Sequence, residues 1–583
     1  LPIAWPKPLL RTMAERAKLR RWFETLRQLA PAQLGWRLYY NCEGWLAAAP
    51  PVGPAPSTRR LCSRAFALEH QRSSTDGASA DRIRAGLVEF LNQEWQVSAL
   101  DGAWDWSLQQ FQGGSGPSRL WKFQLHSFRW MAVLARGHGP GSLDLMDRLS
   151  RSWIAAHPSP RRRARALAWN SYTMANRIEQ WAYAETLCGP FLSSTVRAAA
   201  RQQAQFLARH FEWDLRGNHL VRNATGLLVA SLWLQVPESG FWMDRAAQVL
   251  RGALRRQLCS DGGHYERSPM YHLVVMEDFA QCLELLRCAG HLPALQRSLA
   301  EGLQRMADWS CSVMWPDGTI PLFNDSAAGV VPAPAQLVAR VKRQCQPDPG
   351  ASPAANADHR PTSGFAVLRA GSWLAIVDGG PLGPREQPGH AHCGLGSMVA
   401  SYHTERILED TGVFEYEHGT RRSYARSTAA HSTLQFEGEE QADCWGEFRM
   451  GRRVRRIGWH NDARSCQLEY AWQSGRIHRR CVVVDQGQLV IDDEILGARL
   501  ERMILRWHWA PGVIPDGTGP STWVTPARTR IHVELPSAWS WEIDSTPFFP
   551  AFGQERQRCS LVGRLHARLP VRAQAVFTAA RQG

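Results

Sequence analysis

Two histidines one residue apart, His390 and His392, open the stretch GHAHCGLGSMVASYHTERILEDTG (389–412), which passes through a glycine-rich turn and a strand-like run to Asp410. In an extended chain, alternation puts both imidazoles on one face. A catalytic base, a metal site and an ordinary polar turn would each use such a pair. Two polar stretches lie upstream. In RGNHLVRNATGLLVA, Gly217-Asn218-His219 opens an apolar helix, and Asn218 could simply cap it. In SDGGHYERSPMYHLVVMEDF, a glycine turn leads to Tyr271 and His272, with Ser268 and Pro269 placed as a helix cap and first position. Downstream, RRSYARST sets Tyr424 among Arg421, Arg422 and Arg426, cations that could hold carboxylates or sulfates or be solvated. Asn223-Ala224-Thr225 has the glycosylation pattern, but a helix interior is the wrong place for it.

These residues need elements to position them. Residues 1–80 read as a basic N-terminal helical extension, with RTMAERAKLRRWFETLRQLAPAQLGWRLYY at helical spacing; a helix packed on the remainder is preferred to one lying on a membrane. From 81 to 345, segments such as ADRIRAGLVEFLNQEW, WKFQLHSFRWMAVLARG, SSTVRAAARQQAQFLARHFEW and LPALQRSLAEGLQRMADWSCSVM repeat apolar residues at i, i+3 and i+4. That is an all-α domain of successive helical hairpins. Residues 346–364 are rich in proline, alanine, glycine and aspartate and read as a linker. Over 365–583 the period falls to two, and many short strands joined by Gly and Asp turns predict an antiparallel β-sandwich. The fold class is therefore α+β, with helices first and sheets second.

Composition bounds the function without choosing it. The 583 residues carry 68 Lys+Arg against 53 Asp+Glu, a net charge of +15, and 26 Trp. Such a surface suits an anionic partner, although an arginine excess alone decides nothing. No RNA-recognition, helix-turn-helix or zinc-finger spacing appears, which places nucleic acid behind anionic polysaccharide. No apolar run approaches the ~18–20 residues of a spanning helix. The 13 Cys are scattered without a CxxC pair or framework. The chain starts Leu-Pro-Ile, no signal segment is visible, and a processed N-terminus remains open.

Taken in order, GNHLVRNATGLLVA, DGGHYERSPMYH, PDGTIPLFNDS, GHAHCGLGSMVA, ILEDTGVFEYEHGTRRSYARSTAAHSTLQFEG and QADCWGEFRMGRR resemble the successive signature blocks of the heparinase II/III-like polysaccharide lyases. The resemblance covers roughly 210–455, and the domain order agrees over nearly the whole chain. It implies an α/α toroid followed by a β-sandwich, a cleft between them, and β-elimination from a uronic-acid-containing anionic polymer. In that chemistry a base removes the C5 proton, the C4 oxygen leaves, and a C4–C5 double bond forms. The enzyme must neutralise the neighbouring carboxylate and bind the developing enolate.

By resemblance, Asn218 and His219 would neutralise the carboxylate, Tyr271 would be acid, or acid and base, and His390 the base for one uronate epimer. Tyr424 matches a further tyrosine that is the base in the alginate-lyase branch; a strand residue stacking on sugar is its competing reading. Trp169, Asn170, Tyr172, Asn176 and Arg177 resemble a helix lining the cleft, with His272, Arg422 and Arg426 as further substrate contacts; buried aromatic packing is the competing reading. His392, Asp410 and His431 match the ligands of a structural zinc ion (Zn2+), and no organic cofactor is implied. A basic cleft would attract the polymer. A periplasmic or secreted location is preferred to a cytoplasmic one, and a bacterial exopolysaccharide or O-antigen is preferred to a heparan-like or alginate-like substrate. Two rivals stand beside it: a glycoside hydrolase, for which Asp261 and Glu266 are the candidate carboxylates, and a non-catalytic glycan-binding protein.

Overall fold

The structure is a computed structural model, which describes residues 13–46, 50–66, 76–98, 104–108, 116–137, 139, 141–160, 167–331, 333–345, 362–517 and 519–581. Most of the segment read as a linker, 346–361, lies outside the described residues.

The helical half is a set of antiparallel hairpins around one apolar core. Its central helix, Gly217–Trp233, is buried on nearly every face and packs on Ser171–Cys188, Ser239–Gln257 and Pro269–Ala289. That explains why its sequence is apolar almost throughout, since only a helix covered on all sides can dispense with a polar face. Pro269–Ala289 starts at Pro269 with Ser268 as its cap, Ser268 Oγ accepting from Tyr271 N at 3.1 Å, and ends on Gly290 in the left-handed region. Pro293–Val313 and Pro334–Cys345 complete the wall.

Two helical expectations are corrected. In ADRIRAGLVEFLNQEW the helix Asp76–Arg84 stops at Gly86 (φ 78°), and Leu87–Phe90 pairs with Gln93–Gln96 as a β-hairpin. Leu91 and Asn92 take φ of 57° and 58°, as a tight two-residue hairpin turn demands. WKFQLHSFRWMAVLARG breaks at Phe128 (φ 60°) into Arg119–His126 and Arg129–Gly137.

The β half begins at Phe365, where the period-two pattern starts. A four-stranded sheet (Phe365–Ala370, Trp373–Asp378, Met398–Tyr402, Glu405–Leu408) shares an apolar cluster with an eight-stranded sheet and a second four-stranded one. Strict alternation of burial in Ile477–Val484 and Gln488–Leu496 marks sheets covered on one face. Trp309, Val313, Phe323, Phe365, Leu374, Ile376 and Val399 form a separate cluster that glues the last long toroid helix to the first sheet. Arg267 crosses the same junction, donating to Ser363 O (2.8 Å), to Pro381 O and to Asp378.

Candidate active site

The turn that carries the histidines is a loop ahead of Met398–Tyr402, and its alternation has a physical cause. Ala391, Cys393 and Leu395 point into the apolar cluster of the sandwich, so His390 and His392 must face the other way, toward the toroid. There both meet one carboxylate. Asp325 Oδ2 lies 2.9 Å from His390 Nδ1, and Asp325 Oδ1 lies 2.8 Å from His392 Nε2. Arg422 donates to both oxygens of the same group, Nη2 at 2.9 Å. Burial opposes a charge on Asp325, but the Arg422 guanidinium and the two imidazoles outweigh it and hold the carboxyl well below its ordinary range. An ionised carboxylate only accepts, so the nitrogens facing it carry the protons. A neutral His390 therefore keeps its lone pair on Nε2, and a neutral His392 keeps its own on Nδ1.

Asp325 was missed as a functional residue although it sits inside PDGTIPLFNDS, because nothing in that block says which side chains it will meet. Asn324 (φ 57°) bends the chain there, and Asn324 Oδ1 accepts from His392 N at 3.0 Å.

The toroid supplies the opposite wall of a cleft of about 1340 Å³, larger than the ~300–1,000 Å³ of ordinary small-molecule sites. Asn218, His219, Tyr271 and His390 all line it. Tyr271 stacks on His390 with ring centroids 3.9 Å apart, and its hydroxyl lies 2.8 Å from that of Tyr416, a second residue the sequence reading overlooked. Burial raises the Tyr271 phenol well above its ordinary value despite the Tyr416 bond, so it is a proton carrier at neutral pH. His219 Nδ1 lies 3.1 Å from Glu212 Oε2 as an ion pair. Burial favours the neutral imidazole, yet the Glu212, Glu266 and Asp214 charges outweigh it and raise its pKa. Asn218 is not the helix cap: Arg216 holds that position, and Glu266 occupies the helix N-terminus, accepting from Asn218 N (3.3 Å) and Nδ2 (3.0 Å). Gly217 is required there, since a Cβ would stand 1.8 Å from Glu266 Oε1.

Of the remaining candidates, Asn170, Tyr172 and Asn176 line the cleft. Asn170 caps Ser171–Cys188 and donates to Glu212 Oε1 at 3.1 Å, while burial pushes the Tyr172 phenol up to about 12. Six others, Trp169, Arg177, His272, Arg422, Tyr424 and Arg426, do not line it. Trp169 is buried, with Nε1 donating to His157 O. Arg177 is buried with its guanidinium 3.8 Å from the Trp153 ring and bonds to Gln203, His126 O and Ala168 O. His272 follows Tyr271 by about 100° of helix and so turns inward, onto Met306 O and Ser310; burial lowers it to about 3. Arg422 serves Asp325, and Arg426 serves the carbonyls of Ala391, Glu447 and Arg449. Tyr424 sits on a short helix, Thr420–Ala425, not on a strand; two residues from Arg422 it faces about 200° away, against Phe549, with its hydroxyl buried. Arg421 pairs with Glu555 outside the cleft. Nor is the cleft basic: among the described residues nine arginines and nine carboxylates line it.

Asp410 and His431 meet at 2.9 Å, and the His392 and His431 rings lie 5.4 Å apart. His392 Nδ1 is buried without a partner, and burial lowers this imidazole to about 4, which keeps it neutral. Two imidazoles, a carboxylate and a bare buried lone pair are a donor set that fits zinc. Their donor atoms are not drawn as close as those of Cys62, Glu284 and Cys288, the one tight trio of such ligands among the described residues. The hydrolase candidates are tied up: Asp261 binds Ser363 and Gly263, and Glu266 is held below the ordinary range, its burial outweighed by the neighbouring His264 and His390 imidazoles and the Asn218 bond.

Comparison with known proteins bears on the family and the fold. The family models "Heparinase II/III N-terminus" and "Heparinase II/III-like, C-terminal" match residues 57–338 and 352–576. A heparin-sulfate lyase of Bacteroides thetaiotaomicron is 25% identical over 221 residues, 35% of this chain and 31% of that protein. One of Bacteroides stercoris is 21% identical over 403 residues, 63% of this chain and 58% of that protein. The chain thus spans less than two thirds of the length of these curated relatives. The crystal structure of heparinase III superposes with a TM-score of 0.70 at 18% identity, over 87% of this chain and 85% of that one, which establishes the shared fold. With both halves matched by models of one family, in the order read from the sequence, the chain belongs to the heparinase II/III-like family.

Proposed function

We propose that the protein is a polysaccharide lyase that cleaves a uronic-acid-containing polymer by β-elimination. The observation that carries this reading is the stack of Tyr271 on His390, with His390 Nδ1 held by Asp325, in a cleft also lined by His219. His390 Nε2 takes the C5 proton, the C5 electrons form the C4–C5 double bond, and the C4–O bond breaks toward Tyr271, which protonates the leaving oxygen. The raised phenol favours Tyr271 as acid over base, because a phenolate there would have to be made against burial. His219, whose protonated form Glu212 favours, and the Asn218 amide face the substrate carboxylate, where negative charge grows in the transition state. Relatives named heparin-sulfate lyases make glycosaminoglycan-type hexuronates the first substrates to try, with bacterial surface polysaccharides next.

Zinc held by His392, Asp410 and His431 is part of the proposal. Bound there, the ion would be structural and would pin the loop that presents His390. The check is metal content of purified protein, with His392→Ala expected to lose both metal and thermal stability.

The test of function is a panel of uronate polymers followed by the ultraviolet absorbance of the conjugated product and by product mass. Tyr271→Phe should lower kcat by ~10²–10⁴-fold with KM little changed. Cleavage whose products gain water and lack the chromophore would make the protein a hydrolase; binding without cleavage would make it a glycan-binding protein.

A further inference from the structure

Residues 13–46 form a helical hairpin, Met13–Leu26 and Pro31–Leu46, that precedes the region matched by either family model. It spans the cleft from one domain to the other. On the β side, Trp445 Nε1 donates to Thr25 Oγ1 at 3.1 Å and Gln28 Nε2 to Gly451 O at 2.7 Å. There the Arg449 guanidinium lies 4.5 Å from the Trp22 ring and 4.6 Å from the Trp445 ring. On the toroid side, Trp36 stacks on Trp213 at 6.2 Å, the Tyr40 hydroxyl donates to Phe211 O, and Arg37 lies 3.9 Å from Asp214. At the bend, the buried Gln33 amide donates both to Asp214 O (3.1 Å) in the toroid and to Glu386 O (3.3 Å) in the β domain. The inner face, including Leu26, Leu29 and Leu34, is cleft wall.

We propose that this hairpin is a strap that closes one end of the cleft, so that the enzyme accepts the end of a uronate chain and releases short products rather than cutting within it. The proposal rests on the lyase reading for its products, but not for its binding geometry. A polymer threading through an open groove must leave by both ends, and a hairpin bonded to both walls blocks one of them. The block is near the chemistry: Asp214, paired with Arg37, is also one of the charges that act on His219. Trp22, Leu26, Leu29 and Leu34 give the strap an aromatic and aliphatic cleft face against which the apolar face of a terminal sugar can stop.

The experiment follows one long uronate polymer by viscosity, ultraviolet absorbance and product mass in parallel. For the full chain, absorbance should rise from the first time point with short products only, while viscosity falls late. Early loss of viscosity with long intermediates would overturn the strap. In Trp22→Ala/Thr25→Ala/Gln28→Ala, which removes the ring and hydrogen-bond contacts of the β-side anchor, long intermediates should appear; an unchanged product distribution would count against it. A binding arm uses Tyr271→Phe with size fractions of the same polymer. Sites filled should scale with molar chain ends, and scaling with polymer mass would overturn the proposal. End-scaled binding without chromophore sinks the lyase reading alone, chromophore with long intermediates sinks the strap alone, and no binding by either form sinks both.

Discussion

Asp325 accepts from two imidazoles and a guanidinium, and that single carboxylate sets the proton positions on His390 and His392. Asp325→Asn keeps the shape but puts an amide dipole where an acceptor stood, so His390 can present the wrong nitrogen to substrate. The expected loss is about 10³–10⁴-fold in kcat with KM little changed, by analogy with orienting aspartates elsewhere. Arg422 would be left buried without its partner, at about 3–5 kcal/mol, read by denaturant unfolding. A kcat within a few-fold of wild type would remove Asp325 from the machinery. The His219–Glu212 pair gives a pH signature. The folded pKa of His219 lies above 6.5, so its contribution is whole below that value and is lost as pH rises through the raised one. Glu212 is depressed below 4.5, burial being outweighed by His219, so its share is present above 4.5 and lost as pH falls through the lower value. KM for a uronate substrate should therefore rise on the alkaline side of the His219 titration, and His219→Gln should flatten that limb.

At the scale of elements, the helix Pro269–Ala289 links stability to chemistry through its cap. Ser268 Oγ accepts from Tyr271 N and donates to Asp325 O at 2.7 Å, so one hydroxyl ties the proposed acid to the residue that holds the proposed base. Ser268→Ala should cost about 1–2 kcal/mol in stability, as helix caps do, and lower kcat as well. Unchanged turnover in a destabilised variant would reduce Ser268 to an ordinary cap. The cap, the proline and the closing glycine of this helix were legible because they are local signals. The hairpin at 87–96 was not, since LVEFLNQEW carries apolar residues compatible with either period, and Gly86 with the Leu91-Asn92 turn decided it. Tyr424 was misplaced for the same reason: six residues are too few for periodicity to separate a helical turn from a strand.

The proposed active site belongs to neither domain, because Tyr271 and His219 come from the toroid and His390 from the sandwich. The junction therefore sets the distance between them, and Arg267 on Asp378, with the Trp309–Phe365 cluster, holds it together. Arg267→Ala leaves Asp378 buried and unpaired, costing about 3–5 kcal/mol at the interface. Calorimetry should then resolve two unfolding transitions where the wild type shows one; a single transition would place the coupling in the apolar cluster alone. The sequence by itself determined the two-domain order, the period change at Phe365 and the signature blocks holding Asn218, His219, Tyr271 and His390, because periodicity, caps and motif spacing are local properties of a chain. Only the tertiary structure decided that Asp325 joins both histidines, that Tyr416 meets Tyr271, that Arg177, Arg422 and Arg426 are internal, and that charges in the cleft balance. Those depend on contacts between residues up to hundreds of positions apart, and the burial that turns an arginine from a substrate ligand into a structural one exists only once both domains have closed on it.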